Sequence, residues 1–229
     1  MLLPMHLDPL LEAKLRHLTQ VFLAENEKLN LSALRTEEKC WMGNVLDSVA
    51  ASELISNLKS PISTLLDLGT GGGFPLLPLA LAMPQIQCTG LDSVKKKIDA
   101  VNRIIETMNI PNAHAISGRA EEVARDASHR EHYDIVTSRA VAPLNMLLEY
   151  SSPFVKVGGH IVLWKSLQIE EELQQSAQAQ KLLHVPLVQT HQYTLPGDWG
   201  TRQLLVFQKQ SSLEKMYPRA IGEAKRKPL

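Results

Sequence analysis

An acidic residue followed by a cluster of glycines is the part of this sequence with the clearest chemical meaning. Residues 67–75 read DLGTGGGFP and follow a short apolar run at 64–66. Glycines let the backbone adopt positive φ angles and approach a ligand closely. A helix that begins after such a turn presents unpaired N–H groups. The pattern therefore predicts a buried strand, a tight turn and a helix start that together hold a nucleotide-like ligand.

The spacing of the glycines distinguishes two classes of cofactor. A dinucleotide site has the pattern G-x-G-x-x-G, whose third glycine lets helix and strand pack closely, but here that position is Phe74. The turn instead reads D-x-G-x-G-x-G from Asp67, which is similar to the first motif of S-adenosylmethionine-dependent methyltransferases. The alternative is an ordinary glycine-rich turn between a strand and a helix.

Asp92 ends the second predicted strand, 23 residues after Gly69. A carboxylate at this position can accept two hydrogen bonds from a ribose diol. NAD sites use the same acid, so Asp92 alone does not separate the two cofactor classes. The alternative is a cap for the helix predicted to start at Val94.

Two further candidates follow the third and fourth strands. The loop at 117–122 is expected to wall an adenine ring, with the backbone of Ala120 and the carboxylate of Glu121 on the adenine edge. The competing interpretation of that loop is helix capping. Arg139, just past the fourth strand, is expected to clamp a phosphate or stack on a base. Its alternative is a structural ion pair with Asp67 or Asp134.

Several common catalytic patterns are missing from the sequence. The eight histidines have no metal-ligand spacing with the two cysteines, and there is no G-x-S-x-G elbow or P-loop. We therefore expect no metal. The motif used to methylate an exocyclic base amine is missing as well. A substrate whose own lone pair attacks a sulfonium methyl needs neither base nor metal, and N7 of guanine is such a nucleophile.

Composition restricts the class of protein. The chain has 229 residues, of which 44% are hydrophobic and 21% are charged, so it fits one large domain with a sizeable core. Two cysteines suggest a reducing, cytoplasmic location. Residues 1–4 lack the basic start of a signal peptide, and no run approaches the ~20 apolar residues of a membrane span. We expect no membrane association.

The order of apolar patterns predicts an α/β fold. Strands that alternate with helices imply a parallel sheet, and a hairpin at 195–200 makes the last strand antiparallel. The seven-stranded sheet resembles that of class I, Rossmann-like methyltransferases, with an N-terminal helical extension. Predicted strands cover 63–68, 86–91, 113–117, 133–138, 158–165, 185–194 and 201–209, and predicted helices of this part cover 75–83, 94–109, 119–126, 143–152 and 167–183.

We divide the chain into an N-terminal helical segment (1–58), a Rossmann-like domain (59–210) and a basic C-terminal tail (211–229). Six Lys/Arg and two Glu follow Gln208, although the net charge of the whole chain is zero. We expect the tail to become ordered only when RNA binds. Its cations, with those at 95–97, 139, 165 and 202, are expected to contact phosphates.

Motifs along nearly the whole chain resemble one bacterial family, the methyltransferases G of small-subunit ribosomal RNA, also called glucose-inhibited division protein B. The matching segments are 29–35, 46–48, 67–75, 91–97, 119–122, 137–142 and 217–229. The resemblance implies transfer of a methyl group from S-adenosylmethionine to N7 of a guanine in the 530 loop of 16S ribosomal RNA. The implied partner is the small ribosomal subunit or its precursor, and we expect a monomer.

Matched by motif, the resemblance implies a set of site residues. Arg139 is expected to be catalytic and to contact the cofactor. The other expected cofactor contacts are Gly69, Gly71, Phe74, Asp92, Ala120 and Glu121. The sequence departs from the family at Asn44, where a histidine is usual, at Ser166, where a glycine is usual, and in the tail, which lacks a Gly-Thr-Pro segment. These departures are expected mainly on RNA-facing parts.

Three other functions are compatible with parts of the pattern. One is a nicotinamide-dependent dehydrogenase, which Asp67 and Phe74 oppose. The second is a class I methyltransferase that acts on another RNA or on a small metabolite. The third is a non-catalytic RNA-binding module, which would bind RNA but no cofactor.

Overall fold

The computed structural model describes residues 7–58, 61–139 and 142–229. Its seven strands form one sheet in the order β3-β2-β1-β4-β5-β7-β6. Strand β7 runs antiparallel to both of its neighbours, and the other pairs are parallel. This confirms the predicted sheet. The strands are β1 (Thr64–Leu68), β2 (Gln87–Asp92), β3 (Ala113–Ser117), β4 (Tyr133–Arg139), β5 (Val155–Lys165), β6 (Leu187–Thr194) and β7 (Thr201–Gln208).

The helices agree with the predicted pattern except in three places. The region predicted as one helix at 167–183 is interrupted at Ser176, and the helix predicted at 119–126 is a single turn. The helices are α1 (Pro9–Leu29), α2 (Glu37–Cys40), α3 (Asp47–Ser56), α4 (Leu76–Ala82), α5 (Lys95–Met108), α6 (Ala120–Val123), α7 (Leu144–Ser151), α8 (Glu170–Gln175), α9 (Ala177–Leu182) and α10 (Glu223–Arg226).

The third difference is a π-helical turn at Trp41–Leu46, which joins α2 to α3. A π-helical turn is wider than an α-helical one and occurs most often at functional sites. Here the carbonyl oxygens of Gly43 and Asn44 accept hydrogen bonds from a side chain of the sheet, Arg139. Apolar periodicity in the sequence carries no signal for such a turn.

The N-terminal helices share one core with a face of the sheet. Leu15, Leu18 and Phe22 of α1 are fully buried in the same cluster as Leu65 of β1 and Ile104 of α5. The segment 1–58 therefore does not have a core of its own, and the three-part division remains a prediction. Its boundary residues 59 and 60, and residues 1–4, where no signal-peptide pattern was found in the sequence, lie outside the described residues.

The second face of the sheet packs on α7 and α9, with Leu147, Leu148 and Leu183 buried against Val136 and Leu163. These helices follow β4 and β5, so the sheet is covered on both faces, as a parallel sheet requires. Within the described residues, no helix combines the length and the apolar character needed to cross a membrane.

The C-terminal segment is packed against the domain, which contradicts the expectation of a tail that becomes ordered only on RNA. The Arg219 side chain pairs with Glu149, which is 1% exposed, and the Arg219 N–H donates to the same carboxylate at 3.0 Å. Arg125 donates to the carbonyl of Pro218 at 2.6 Å. A charged partner inside the domain holds this segment, and composition alone could not reveal that partner.

Two of the six basic residues counted after Gln208 form such internal pairs, Lys209 at the end of the domain and Arg219 in the tail. Lys209 is fully buried and donates to Glu131 Oε1 at 2.7 Å and to the carbonyl oxygens of Ser152 and Val155. Arg219 is the second. The count of tail cations therefore overstates the charge that can reach a phosphate.

Candidate active site

The glycine turn between β1 and α4 has the conformation that its residues predict. Gly69, Gly71 and Gly73 have φ angles of 73°, 55° and 93°, which residues with a Cβ rarely adopt. The N–H groups of Gly69 and Thr70 donate to the carbonyl of Leu91, at 2.8 and 3.0 Å. The turn is therefore fixed to the carboxyl end of β2, where ligands of doubly wound sheets bind.

Asp92 connects this turn to α5. Its Oδ2 accepts the N–H of Gly71 at 3.0 Å, and its Oδ1 accepts the N–H of Val94 at 2.9 Å. The N-cap of α5 is Val94, and no side chain caps this helix, so Asp92 is not the helix cap of the alternative interpretation. Each oxygen of the Asp92 carboxylate has a second lone pair, so these two bonds do not prevent Asp92 from accepting a hydroxyl from a ribose.

Four of the predicted cofactor residues line one cavity of about 340 Å³. They are Gly69, Asp92, Ala120 and Glu121. Apolar walls come from Leu68, Leu91 and Leu147. Gly71, also predicted as a cofactor contact, does not line this cavity; its N–H donates to Asp92, which does. The cavity thus combines apolar surface with a few acceptors, as small-ligand sites do.

Phe74 lies outside that cavity. Its ring is 7% exposed and packs edge to face on Phe22 of α1, with the ring centroids 4.7 Å apart. The side chain fixes α1 against the glycine turn, and the cofactor contact predicted at this position by the motif stays a prediction. An aromatic ring next to an apolar helix gains more by burial there than at a polar rim.

Arg139 is fixed by the N-terminal segment rather than by Asp67 or Asp134, the partners considered in the alternative interpretation. Its Nη1 donates to Asp47 Oδ2 at 3.1 Å and to the carbonyl of Gly43 at 2.9 Å. Its Nη2 donates to Asn44 Oδ1 at 3.1 Å. The guanidinium therefore links the end of β4 to the π-helical turn.

Asp47 is the centre of this arrangement and was not singled out for it by the sequence. It is 5% exposed, and its Oδ1 accepts the Tyr193 hydroxyl at 2.6 Å and lies 3.4 Å from Nε of Arg202. Its backbone carbonyl accepts the indole N–H of Trp164 at 2.9 Å. Burial and the Asp47 carboxylate raise the pKa of Tyr193, so this hydroxyl stays protonated and donates.

A second, larger cavity of about 800 Å³ opens beside Arg139. Trp164 and Trp199 give it aromatic surface, and Arg139, Lys165 and Arg202 give it positive charge. Leu68 and Arg139 end the adjacent strands β1 and β4, so the two cavities are neighbours at the carboxyl edge of the sheet. An aromatic and cationic cavity is suited to a nucleobase with its phosphate.

Gly43 is required where the two ends of the chain meet at this cavity. A Cβ there would lie 2.6 Å from the Trp199 ring and 2.7 Å from Leu34. The sequence gives no local signal for the contact between Gly43 and Trp199, because these residues are more than 150 positions apart.

The departures from the family pattern lie at both cavities. Asn44 and Ser166 line the larger cavity. Asn44 is 3% exposed and accepts a hydrogen bond from Arg139, so it also supports that side chain. In the atypical tail, Gly222 and Lys225 line the smaller cavity.

Asp67, beneath the glycine turn, is fully buried. Its carboxylate accepts hydrogen bonds from Thr137 Oγ1 at 3.0 Å and from the N–H of Leu76 at 3.3 Å. Burial raises the pKa of Asp67 from 3.8 to about 6, and these hydrogen bonds oppose the rise only in part. The ionised carboxylate is therefore less stable in the folded chain than in water.

Asp67→Asn is expected to change how stability depends on pH. A raised carboxyl pKa favours folding below pH 4, and this contribution is lost as the pH rises from 3.8 through about 6. Above pH 6 the asparagine variant is expected to gain up to about 3 kcal/mol relative to the parent. Urea unfolding of both proteins at pH 4 and pH 7.5 measures their free energies of unfolding. A difference between variant and parent that is the same at both pH values would contradict the prediction.

Among the residues that the structure describes, no three His, Cys, Asp or Glu side chains are grouped to hold a metal ion. The carboxylate of Asp47 at the larger cavity is bound to Arg139, Arg202 and Tyr193, so its oxygens already have partners other than a metal ion.

Comparison with known proteins gives a consistent family and fold. The sequence profile described as rRNA small subunit methyltransferase G matches residues 11–204. A relative from Alkaliphilus metalliredigens, named ribosomal RNA small subunit methyltransferase G, is 36% identical over 98% of this chain and 93% of its own length. The corresponding protein of Carboxydothermus hydrogenoformans is 36% identical over 92% of this chain and 88% of its own length.

A solved structure shares the fold at low sequence identity. The O-methyltransferase of Bacillus cereus in complex with SAH has a TM-score of 0.61 at 16% identity, covering 90% of this chain and 94% of its own. At this identity the likeness concerns the arrangement of the sheet and helices alone. It agrees with the seven-stranded order described above.

Proposed function

The chain belongs to the rRNA small subunit methyltransferase G family, and from this we propose that it transfers a methyl group from S-adenosylmethionine to N7 of a guanine in the 530 loop of 16S ribosomal RNA. The observation that carries the proposal is the pair of neighbouring cavities at one edge of the sheet. The smaller has the size and polarity for a nucleoside, and the larger has aromatic and cationic walls. Methyl transfer needs two such ligands in adjacent places.

The smaller cavity fits the cofactor by the chemistry of its donors and acceptors. Asp92 has lone pairs for a ribose diol, and Glu121 offers a carboxylate where an adenine amine needs an acceptor. Leu91 and Leu147 supply apolar surface for the ring. When bound, S-adenosylmethionine supplies an electrophilic methyl carbon on a positively charged sulfur. We propose Gly69, Gly71, Asp92, Ala120 and Glu121 as its contacts.

We assign the acceptor guanine to the larger cavity. Trp199 can stack on a base, and Arg202 can balance phosphate charge. Lys165 is already paired with Glu172 at 2.7 Å. Guanine N7 attacks with its own lone pair, so the protein needs to supply no general base. Its contribution is to hold the base in line with the methyl group and to exclude water. Arg139, fixed by three neighbours, is the side chain proposed to set that position.

Binding to RNA is supported by cations in an unfavourable helical position. Lys95, Lys96 and Lys97 form the first turn of α5, which begins three positions after Asp92. The positive end of the helix dipole repels cations there, and the Lys95 side chain is 79% exposed and lies 3.6 Å from Asp99. Phosphates of the proposed partner, the small ribosomal subunit or its precursor, would offset this repulsion. Action as a monomer in the cytoplasm remains a prediction.

The proposal is tested by methyl transfer. The purified chain is incubated with small ribosomal subunits that lack this methyl group and with S-adenosylmethionine labelled on the methyl, and the modified nucleotide is identified by mass spectrometry. We expect label on N7 of one guanine in the 530 loop, and none with Asp92→Ala. Label on small molecules alone would overturn the RNA assignment. Calorimetric binding of NAD in place of S-adenosylhomocysteine would overturn the cofactor.

A further inference from the structure

We propose that the C-terminal segment 213–229 is a wall of the cofactor cavity, and that Gly222 and Lys225 retain the cofactor rather than bind RNA. This inference rests on the proposed function, since it concerns the same cavity. The sequence pattern predicted phosphate contacts for the basic residues of the tail, which include Lys225. Their location assigns them to the adenosine side of the smaller cavity.

The first support is direct contact between the segment and the cavity. Gly222 and Lys225 line the cavity together with Ala120 and Glu121. The N–H of Gly222 donates to Glu121 Oε1 at 3.2 Å, and Glu121 is 7% exposed. The segment therefore covers the carboxylate that the proposed function assigns to the adenine edge. Oxygen Oε2 of that carboxylate does not take part in this bond.

The second support is that the segment is held in place on both sides of Gly222. Before it, Arg219 binds the buried Glu149 of α7, and Arg130 donates to the carbonyl of Tyr217 at 2.8 Å. After it, Ala224 is 3% exposed on α10, which packs against α7. Because the segment is already held before and after Gly222, little conformational entropy of the segment is lost when a ligand binds against it.

The conformation of Gly222 makes the turn toward the cavity possible. Its φ is +75°, and a Cβ placed there would meet no atom within 4 Å. Space is thus available, but the backbone angle is one that a β-branched residue rarely adopts. A valine at position 222 must therefore change the backbone angle there and with it the course of the C-terminal segment, although its side chain would meet no atom in the cavity. This gives a way to displace the segment by one substitution.

Lys225 covers the cavity in the manner usual for long cationic side chains. Its aliphatic stem can lie over an apolar ring while the ammonium group stays in water. Lys227 lies just beyond α10, carries the same charge and does not line the cavity. The two lysines therefore form a matched pair. If Lys225 acts by covering the ligand, only its substitution should weaken cofactor binding. If it acts through its charge, substitution of either lysine should weaken binding.

The test measures affinity for S-adenosylhomocysteine and its dissociation rate in the full-length protein. We expect Gly222→Val to weaken binding at least tenfold through faster dissociation. The matched control is Gly158→Val, at a glycine with φ +84° and similarly open space that is remote from the cavity. We expect its affinity to stay within twofold of the parent. Lys225→Ala is expected to weaken binding about threefold, and Lys227→Ala to leave it unchanged.

The outcomes separate this inference from the function on which it rests. If the parent chain does not bind S-adenosylhomocysteine, the proposed function fails and the inference with it. If the parent binds and both Gly222→Val and Lys225→Ala retain its affinity within twofold, only the inference is overturned. Equal losses of cofactor affinity for Lys225→Ala and Lys227→Ala would also overturn it. Thermal melting identifies a valine variant that fails to fold, and the lysine pair then decides.

Discussion

Arg139→Lys is expected to lower the rate of methyl transfer by about 10- to 100-fold while leaving the affinity for S-adenosylhomocysteine within about threefold. Arg139 donates through two nitrogens to acceptors on Gly43, Asn44 and Asp47. A lysine keeps the charge but has one donor group and no planar fork, so it cannot satisfy acceptors that lie in several directions. The acceptor base would then lose its fixed position, and the cost appears in the transfer step.

The matched control for this prediction is Arg16→Lys. Arg16 is paired with Glu12 on the exposed face of α1, where its side chain is 49% exposed. Exposed pairs of this kind contribute little, so this variant is expected to behave as the parent does. Single-turnover transfer to the ribosomal subunit measures both variants. An Arg139→Lys protein with the parental rate would contradict the proposed role of Arg139 in positioning the base.

Arg219→Met is expected to destabilise the protein by about 3–5 kcal/mol, because it leaves the buried carboxylate of Glu149 without its cationic partner. The Glu149 side chain is 1% exposed, and the Arg219 side chain is 11% exposed. For a chain of this length, such a loss lowers the melting temperature by about 10 °C. Differential scanning calorimetry measures it directly.

Two comparisons make this second prediction specific. Arg226→Met removes an exposed cation from α10 and is expected to leave the melting temperature unchanged. The double variant Arg219→Met/Glu149→Leu removes the carboxylate too and should recover part of the loss, since neither charge is then buried alone. If Arg219→Met and Arg226→Met melt at the same temperature, the C-terminal segment is not anchored by this pair.

The strands and most helices could be predicted from local patterns. Asp8 and Thr36 are of the residue types that commonly cap helices. The Asp8 side chain accepts two N–H groups at the start of α1, and the Thr36 side chain accepts one at the start of α2. The glycine turn and Asp92 could be placed because each lies at the end of a buried strand. Local sequence suffices for these features, since the interactions that decide them span a few residues.

The support of Arg139 could not be predicted in this way. Asp47 is 92 positions from Arg139 and 146 positions from Tyr193, so only the folded chain brings these groups together. The wider π-helical turn that directs the Gly43 carbonyl at Arg139 has no signature in apolar periodicity. The position of the C-terminal segment depends likewise on Glu149, a buried acid within an otherwise apolar helix.

Both cavities are completed by residues close to the carboxyl terminus. Trp199 and Arg202 line the larger one, and Gly222 and Lys225 line the smaller. A polypeptide that folds from its amino end forms strands β1 to β4 before these residues are available. The two cavities therefore reach their full lining only after residues 199–225 have folded onto the sheet.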